Sequence, residues 1–327
     1  MALTTNHTQR SSVSAGLALA IPSAFAFGLS GTLARALMDA GWTAGAAVLV
    51  RVLIASGALL VPGVLAMRGQ WHLLPRSAPT LIAYGLFAVA GAQLCYFLAV
   101  SHLPIGVALL IEYTAPVAVV LWIWMRHGHR PGPITAAGAA LAAVGLVLLL
   151  DVLGGGELSL VGVAWALGAM IGAAMYFVIS ADDSNGLPPI SLAAGGLVVG
   201  AVGLALAAGV GLLPLRASAL PGQFVGFALP WWVVALLLGL VTAAFAYVTG
   251  IAASRHLGPR LASFVALTEV LAALAFAWLL LAETPLPIQL AGAALVLTGV
   301  VVVKLGEAAP VAMPDDEPLP AMIVAEP

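Results

Sequence analysis

The chain has 327 residues, of which 63% are hydrophobic and 7% charged, with a formal net charge of -2 and a mean hydropathy of +1.14. Because soluble domains carry about 25% charged residues, this composition excludes a water-soluble protein. The single cysteine, Cys95, excludes an internal disulfide. We expect no nucleic-acid partner.

Hydrophobic runs long enough to cross a hydrocarbon core of about 30 Å recur along the chain, separated by short polar loops. They are apolar on every face, whereas membrane β-strands alternate over about ten residues. The sequence therefore predicts an all-α polytopic membrane protein. Ten spans are expected, at about 15–37, 44–66, 78–101, 105–125, 132–151, 160–180, 190–211, 229–252, 260–281 and 287–304. An N-terminal tail over 1–13 precedes the first span. Its polar residues 1–12 and the acidic tail over 306–327 are predicted to be disordered.

The basic residues are distributed unequally between the two sides of these spans. Arg35 and Arg216 fall on one side and Arg51 lies inside a span. The remaining basic residues fall on the other side, at Arg10, Arg68, Arg76, Arg126, Arg130, Arg255, Arg260 and Lys304. By the positive-inside rule, both termini are predicted to be cytoplasmic. The cell inner membrane is the expected location.

The two halves of the chain resemble each other when the sequence is shifted by 154 residues. His102 then matches His256, Trp124 matches Trp278, Pro133 matches Pro287 and Gly145 matches Gly299. Five spans per half is an odd number, so the second half must cross the membrane in the opposite direction. The sequence predicts a 5+5 inverted-topology repeat, residues 14–151 and 160–305, which is typical of secondary transporters with a substrate site near the midplane.

Three ionisable residues lie inside predicted spans, at a cost of at least about 2.5–3.5 kcal/mol each on insertion scales. Arg51 and Glu112 each lie seven residues from the outer start of their spans, so both are roughly 10 Å deep and could pair. Glu269 enters from the cytoplasmic side and lies near the midplane. Burial disfavours the charged form of a carboxylate, so a buried glutamate binds a proton more readily than an exposed one. This property suits proton coupling. A purely structural role for these charges remains an alternative.

Further candidates are polar or aromatic residues inside the spans. Five could line a cavity or be packed bundle residues with satisfied polar tips: Gln93, Tyr96, Tyr113, Tyr176 and Tyr247. Pro116 removes the hydrogen bond to the carbonyl of Glu112. The freed carbonyl could bind a cation or a substrate ammonium, or the proline could have a purely structural role as a helix kink. Glu283 lies at a helix end and is predicted to be an interfacial or packing group. No nucleophile, base and acid stand out as a set, so we predict no enzyme, no cofactor and no metal site.

Three segments are similar to the EamA-type drug/metabolite transporter superfamily. They are VLVRVLIASG (48–57), AVSHLPIGVALLIEYTAPV (99–117) and ALTEVLAALAFAWLLLAETPLPIQLAGAALVLTGVVVV (266–303), within a similarity over about 14–305. The run GVALLIEYTAPVAV resembles the threonine/homoserine exporter branch. The resemblance implies efflux of small amino acids or related metabolites in exchange for protons. It supports Arg51, Glu112 and Glu269 as functional residues, with Glu283 as the acid of the late segment.

We therefore expect a secondary transporter that exports a small polar metabolite by alternating access. Glu112 is expected to bind a proton or the substrate ammonium, and Arg51 to hold the substrate carboxylate or Glu112. Two alternatives remain open: a flippase for lipids or lipid-linked sugars, with a groove open sideways to the bilayer, and a non-transporting scaffold or sensor. The expected partners are a small-molecule substrate, protons and the lipid bilayer. A homodimer is left open.

Overall fold

The computed structural model describes residues 2–115, 132–149, 159–184 and 186–306. Helices dominate the first half of the chain: α1 (Ala2–Asp39), α2 (Ala44–Ala66), α3 (Leu73–Ala83), the π-helix π1 (Tyr84–Gly91), α4 (Ala92–Val100), α5 (Ile105–Glu112) and α6 (Pro133–Leu149). The second half contains α7 (Leu160–Ala181), α8 (Pro189–Gly209), α9 (Trp231–Gly239), the π-helix π2 (Leu240–Phe245), α10 (Ala246–Val265), α11 (Leu267–Leu281) and α12 (Pro287–Gly306).

The multi-pass helical membrane architecture is confirmed. Within the described ranges, 6 helical segments are long and apolar enough to cross a membrane: Ser14–Asp39, Ala44–Ala66, Leu73–Val100, Leu160–Ser180, Pro189–Gly209 and Trp231–Leu257. Three shorter apolar helices occupy predicted spans, at Pro133–Gly145, Leu267–Leu281 and Pro287–Val303. The fourth predicted span continues into residues 116–131, outside the described residues. The structure therefore does not confirm the number ten.

Two local features differ from the sequence prediction. Helix α1 begins at Ala2, within the segment that the sequence places in a polar N-terminal tail before the first span. The loop between α8 and α9 contains an antiparallel hairpin of β1 (Gly222–Phe224) and β2 (Phe227–Leu229), which the sequence analysis did not predict. Gly226 in its turn has a φ of 80°, a conformation that glycine adopts without steric cost. The Val225 N–H donates to Leu280 O at 2.8 Å and attaches the hairpin to α11.

Helices α6 and α12 pack closely and antiparallel through glycines. A Cβ atom on Gly145 would lie 2.6 Å from Val296 N, and one on Gly299 would lie 2.5 Å from Ala142 N. The 154-residue shift relates Gly145 to Gly299 and Ala142 to Val296, so the two contacts are equivalent. An antiparallel pair of equivalent helices is what two repeats of opposite orientation require.

The two π-helices also occupy equivalent places. The shift moves Tyr84–Gly91 onto residues 238–245, which contain π2. Helix α8 packs on π1 and α2 packs on π2. A π-helix displaces backbone carbonyls from the regular hydrogen-bond ladder and is frequent at functional sites. Each repeat thus brings one such segment to the centre of the bundle.

Candidate substrate cavity between the two repeats

A central cavity of about 70 Å³ lies between helices of both repeats. This volume is below the range of about 300–1,000 Å³ that is usual for small-molecule sites, so the helices around the cavity must move apart to hold a substrate. Small residues allow the space to form, namely Ala20, Ala24, Ala92, Ala173, Gly250 and Ala253. The α1 residues in the lining all come from the part of the helix between 20 and 27. The cavity therefore extends toward the end of the bundle where α1 begins.

Two carboxylates line this cavity, one from each repeat. Glu112 is the last residue of α5 and Glu269 lies in the first turn of α11, and both side chains are partly exposed to the cavity. The Tyr113 hydroxyl donates to Glu269 Oε2 at 2.7 Å. Within the described part of the chain, Glu112 has no hydrogen-bond or ion-pair partner. The Glu269 carboxylate thus accepts a hydrogen bond, whereas the Glu112 carboxylate has no bonded partner among the described residues.

Arg51 is fully buried behind the cavity. Its guanidinium donates to Gln93 Oε1 and to the carbonyl of Thr242 in π2, and lies 5.5 Å from the centre of the Phe97 ring. Arg51 and Glu112, which the sequence places at the same depth, form no ion pair with each other in the structure. Equal depth in the membrane does not fix the direction of a side chain, and Arg51 on α2 reaches π2 and α4 instead.

A hydrogen-bond chain crosses from one repeat to the other beside Arg51. Gln93 Nε2 donates to Tyr247 Oη at 3.2 Å, and Tyr247 Oη donates to the carbonyl of Ala88 in π1 at 3.1 Å. Gln93 and Tyr247 differ by 154 residues, as do Ala88 and Thr242. The carbonyl of each π-helix therefore accepts from a side chain of the opposite repeat. These bonds join the two repeats at their equivalent positions.

Aromatic rings form one wall of the cavity. Phe27 contacts Tyr247 and Tyr176 edge to face, with ring centres 5.2 Å and 6.0 Å apart. Tyr176 and Tyr247 are also edge to face at 5.6 Å. Such pairs contribute about 0.5–1.5 kcal/mol beyond their buried area. The wall is therefore a packed cluster whose ring surfaces border the empty space.

Beyond Phe27, at the end away from the central cavity, polar contacts connect α1 to two loops beside a second cavity of about 420 Å³. Arg35 Nη2 donates to Leu103 O at 2.7 Å, and Arg35 Nε lies 3.7 Å from Glu283 Oε1. The Ile105 N–H donates to Glu283 Oε2 at 3.2 Å. We call Arg35, Leu103, Ile105 and Glu283 the latch, because they connect α1 to the loops before α5 and α12.

The structure brings six of the predicted residues to the cavity: Gln93, Glu112, Tyr113, Tyr176, Tyr247 and Glu269. Tyr96 is buried nearer the latch, against Gly31 of α1. Glu283 belongs to the latch, and Pro116 lies outside the described residues. Phe27 also lines the cavity, and no sequence pattern distinguishes it from other apolar residues of α1. Arg35, which entered the sequence prediction only as a basic residue on the outer side, belongs to the latch.

Comparison with known proteins connects this arrangement to a family. The profile of the EamA-like transporter family matches residues 14–151 and 160–305. The threonine/homoserine exporter RhtA from two strains of Salmonella typhimurium is 31% identical over 121 residues, which are 36% of this chain. The match spans 38% of the length of those exporters.

A crystal structure of another protein has the same fold, with a TM-score of 0.58 and 20% sequence identity. It covers 89% of this chain and 97% of the other. The two matched repeats, the membrane helices and the cavity between them agree with a transporter rather than an enzyme. The chain is a multi-pass membrane protein that belongs to the EamA-like transporter family.

Proposed function

We propose that the protein exports threonine, homoserine or a similar small amino acid across the inner membrane by antiport with protons. The observation that carries the proposal is the pair of carboxylates, Glu112 and Glu269, in one cavity between the repeats. The similarity to a threonine/homoserine exporter supports the choice of substrate. Both termini are taken to be cytoplasmic, from the distribution of basic residues.

Coupling would arise from competition for Glu112. A carboxylate in a membrane cavity with no partner among the described residues is unfavourable as a bare charge, so it binds either a proton or a cation. A substrate ammonium would bind to the ionised carboxylate and leave when a proton arrives from the other side. Because the two cannot occupy Glu112 together, transport of one requires return of the other. Glu269, held by Tyr113, would act as a second acceptor.

Alternating access would involve the latch and the π-helices. With the termini in the cytoplasm, the described state has its cavity toward the cytoplasm and the latch on the outer side. Opening outward requires Arg35 and Glu283 to separate and requires the repeats to tilt against each other. The cross-repeat bonds at Ala88 and Thr242 lie where such a tilt would occur, in segments whose helical ladder is already interrupted.

Uptake of labelled threonine and homoserine into proteoliposomes, with and without a pH gradient, tests the proposal. Wild-type protein should accumulate substrate only with the gradient, and Glu112→Gln should abolish the gradient-dependent part. Asp183→Asn is the matched control, because Asp183 is an exposed carboxylate in the loop between α7 and α8. Accumulation by Glu112→Gln with an unaltered pH dependence would contradict the coupling scheme.

The same preparation separates transport of amino acids from the flippase alternative. If folded wild-type protein moves no amino acid of the panel, the substrate assignment fails. Transfer of a fluorescent lipid between leaflets, absent in protein-free liposomes, would then favour a lipid substrate.

A further inference from the structure

We infer that the cavity selects its substrate through an ammonium group and does not require a carboxylate on it. The substrate class then includes small amino alcohols and amines as well as amino acids. This inference rests on the proposed function for transport and narrows what the same site recognises. It follows from which polar groups of the lining are already bonded.

In the described lining, both carboxylates have oxygen atoms that are free to accept further hydrogen bonds. Both carboxylate oxygens of Glu112 lack a bonded partner in the described chain, and Glu269 uses only Oε2, toward Tyr113. Each of these oxygens accepts hydrogen bonds when ionised. An ammonium offers three donors, so it fits such a set closely. The two acids therefore provide a binding site for a cationic group.

Four hydroxyl donors of the lining are already engaged. Ser23 Oγ donates to Ala246 O and Ser254 Oγ donates to Gly250 O, each at 2.8 Å. The hydroxyl protons of Tyr113 and Tyr247 bond to Glu269 and to the Ala88 carbonyl. A substrate carboxylate that needs donors would have to displace one of these internal bonds or bind the Tyr176 hydroxyl, which also belongs to the lining.

The guanidinium of Arg51, behind the cavity, is also engaged in hydrogen bonds within the protein. Both terminal nitrogens of Arg51 donate within the protein, one to Gln93 and one to the π2 carbonyl of Thr242. Gln93 lines the cavity, while Arg51 has no exposed surface. Gln93 thus covers the guanidinium, and a carboxylate in the cavity cannot form the paired bonds that arginine makes with accessible anions. The carboxylate of a zwitterion therefore adds little to its affinity.

The aromatic wall reinforces the preference for a cation. Phe27 and Tyr176 border the cavity with their rings. Aromatic faces attract ammonium groups by about 0.5–2 kcal/mol and repel anions. The carboxylates and the rings therefore favour the same charge on the substrate.

Three compounds that share the threonine side chain separate the two recognition modes. L-Threonine has both charged groups, L-threoninol keeps only the ammonium, and N-acetyl-L-threonine keeps only the carboxylate. Calorimetric binding to purified wild-type protein should give threoninol a Kd within about threefold of that of threonine, and N-acetylthreonine a Kd at least about tenfold higher. Strong binding of N-acetylthreonine with weak binding of threoninol would overturn the inference, as would binding of none of the three.

A variant tests the role assigned to Gln93. Gln93→Ala removes one bond of Arg51 and the side chain that covers it, so affinity for N-acetylthreonine should rise at least about fivefold. Affinity for threoninol should change by less than about twofold. If Gln93→Ala leaves N-acetylthreonine unaffected, Arg51 is not screened by this residue. If the variant does not fold, the wild-type ranking of the three compounds still decides the inference.

Binding and flux distinguish failure of this inference from failure of the proposed function. Gradient-driven threonine uptake that N-acetylthreonine inhibits and threoninol does not would keep the transporter and reject ammonium recognition. Binding of threoninol without flux of any compound would keep ammonium recognition and reject the exporter.

Discussion

Replacing Gly145 or Gly299 by alanine should destabilise the bundle equally, because each glycine makes the same contact in its own repeat. The new Cβ atom would lie 2.6 Å from Val296 N or 2.5 Å from Ala142 N, whereas ordinary contacts begin near 3.4 Å. The helices must therefore separate by at least 0.8 Å (3.4 − 2.6) or 0.9 Å (3.4 − 2.5). The obstructing atoms belong to the backbone and cannot rotate away. Overpacking of this kind costs about 1–3 kcal/mol.

Thermal unfolding of the purified variants, followed by loss of the monodisperse protein peak, measures this cost. We expect the midpoint of each variant to fall by roughly 2–9 °C, with the two values close to each other. Gly57→Ala is the control, because Gly57 lies inside α2 with no atom within 4 Å of the added Cβ. That variant should be neutral or gain about 0.5–1 kcal/mol. Wild-type midpoints for both interface variants, or a loss in only one, would refute the equivalent packing of α6 and α12.

Other perturbations test the latch, the second acid and the buried arginine. Glu283→Gln should weaken the ion pair with Arg35 by about 0.5–1 kcal/mol, so thiol labelling of a cysteine placed beneath the latch should rise about two- to fivefold; unchanged labelling contradicts the latch. Tyr113→Phe removes a donor to Glu269 worth about 1.5–3 kcal/mol if the acid is ionised, so kcat/KM for uptake should fall at least about tenfold. Arg51→Lys cannot reproduce the fork that bonds two separate acceptors, so the unfolding midpoint should fall, and an unchanged midpoint would argue against these bonds.

The sequence predicted the repeat because equivalent residues keep their spacing even when helices pack differently. The shift of 154 residues, found from Gly145 and Gly299 among others, also relates Gln93 to Tyr247, which bond to each other in the structure. Depth along a helix was predictable from the rise per residue. The direction of a side chain was not, because it depends on how each helix is rotated against its neighbours. Arg51 therefore reaches Gln93 rather than Glu112.

The π-helices and the latch could not be predicted from the sequence, because they also depend on contacts between distant parts of the chain. Local composition does not distinguish π1 or π2 from ordinary apolar helix, since their geometry depends on tertiary contacts with α8 and α2. The latch joins Arg35 to Glu283 across 248 residues, and neither belongs to a local motif that identifies the other. Phe27 lines the cavity only because α1 packs against α10 and α11 with that face inward.

The most direct test of proton coupling at Glu112 is the movement of protons driven by substrate alone. Proteoliposomes loaded with threonine and a pH-sensitive dye are diluted into threonine-free buffer, and luminal pH is recorded together with loss of labelled threonine. For wild type we expect luminal acidification in step with threonine exit, and for Glu112→Gln we expect neither threonine exit nor acidification above the level of protein-free vesicles. Threonine exit from wild-type vesicles at constant luminal pH, with the membrane potential clamped, would contradict it.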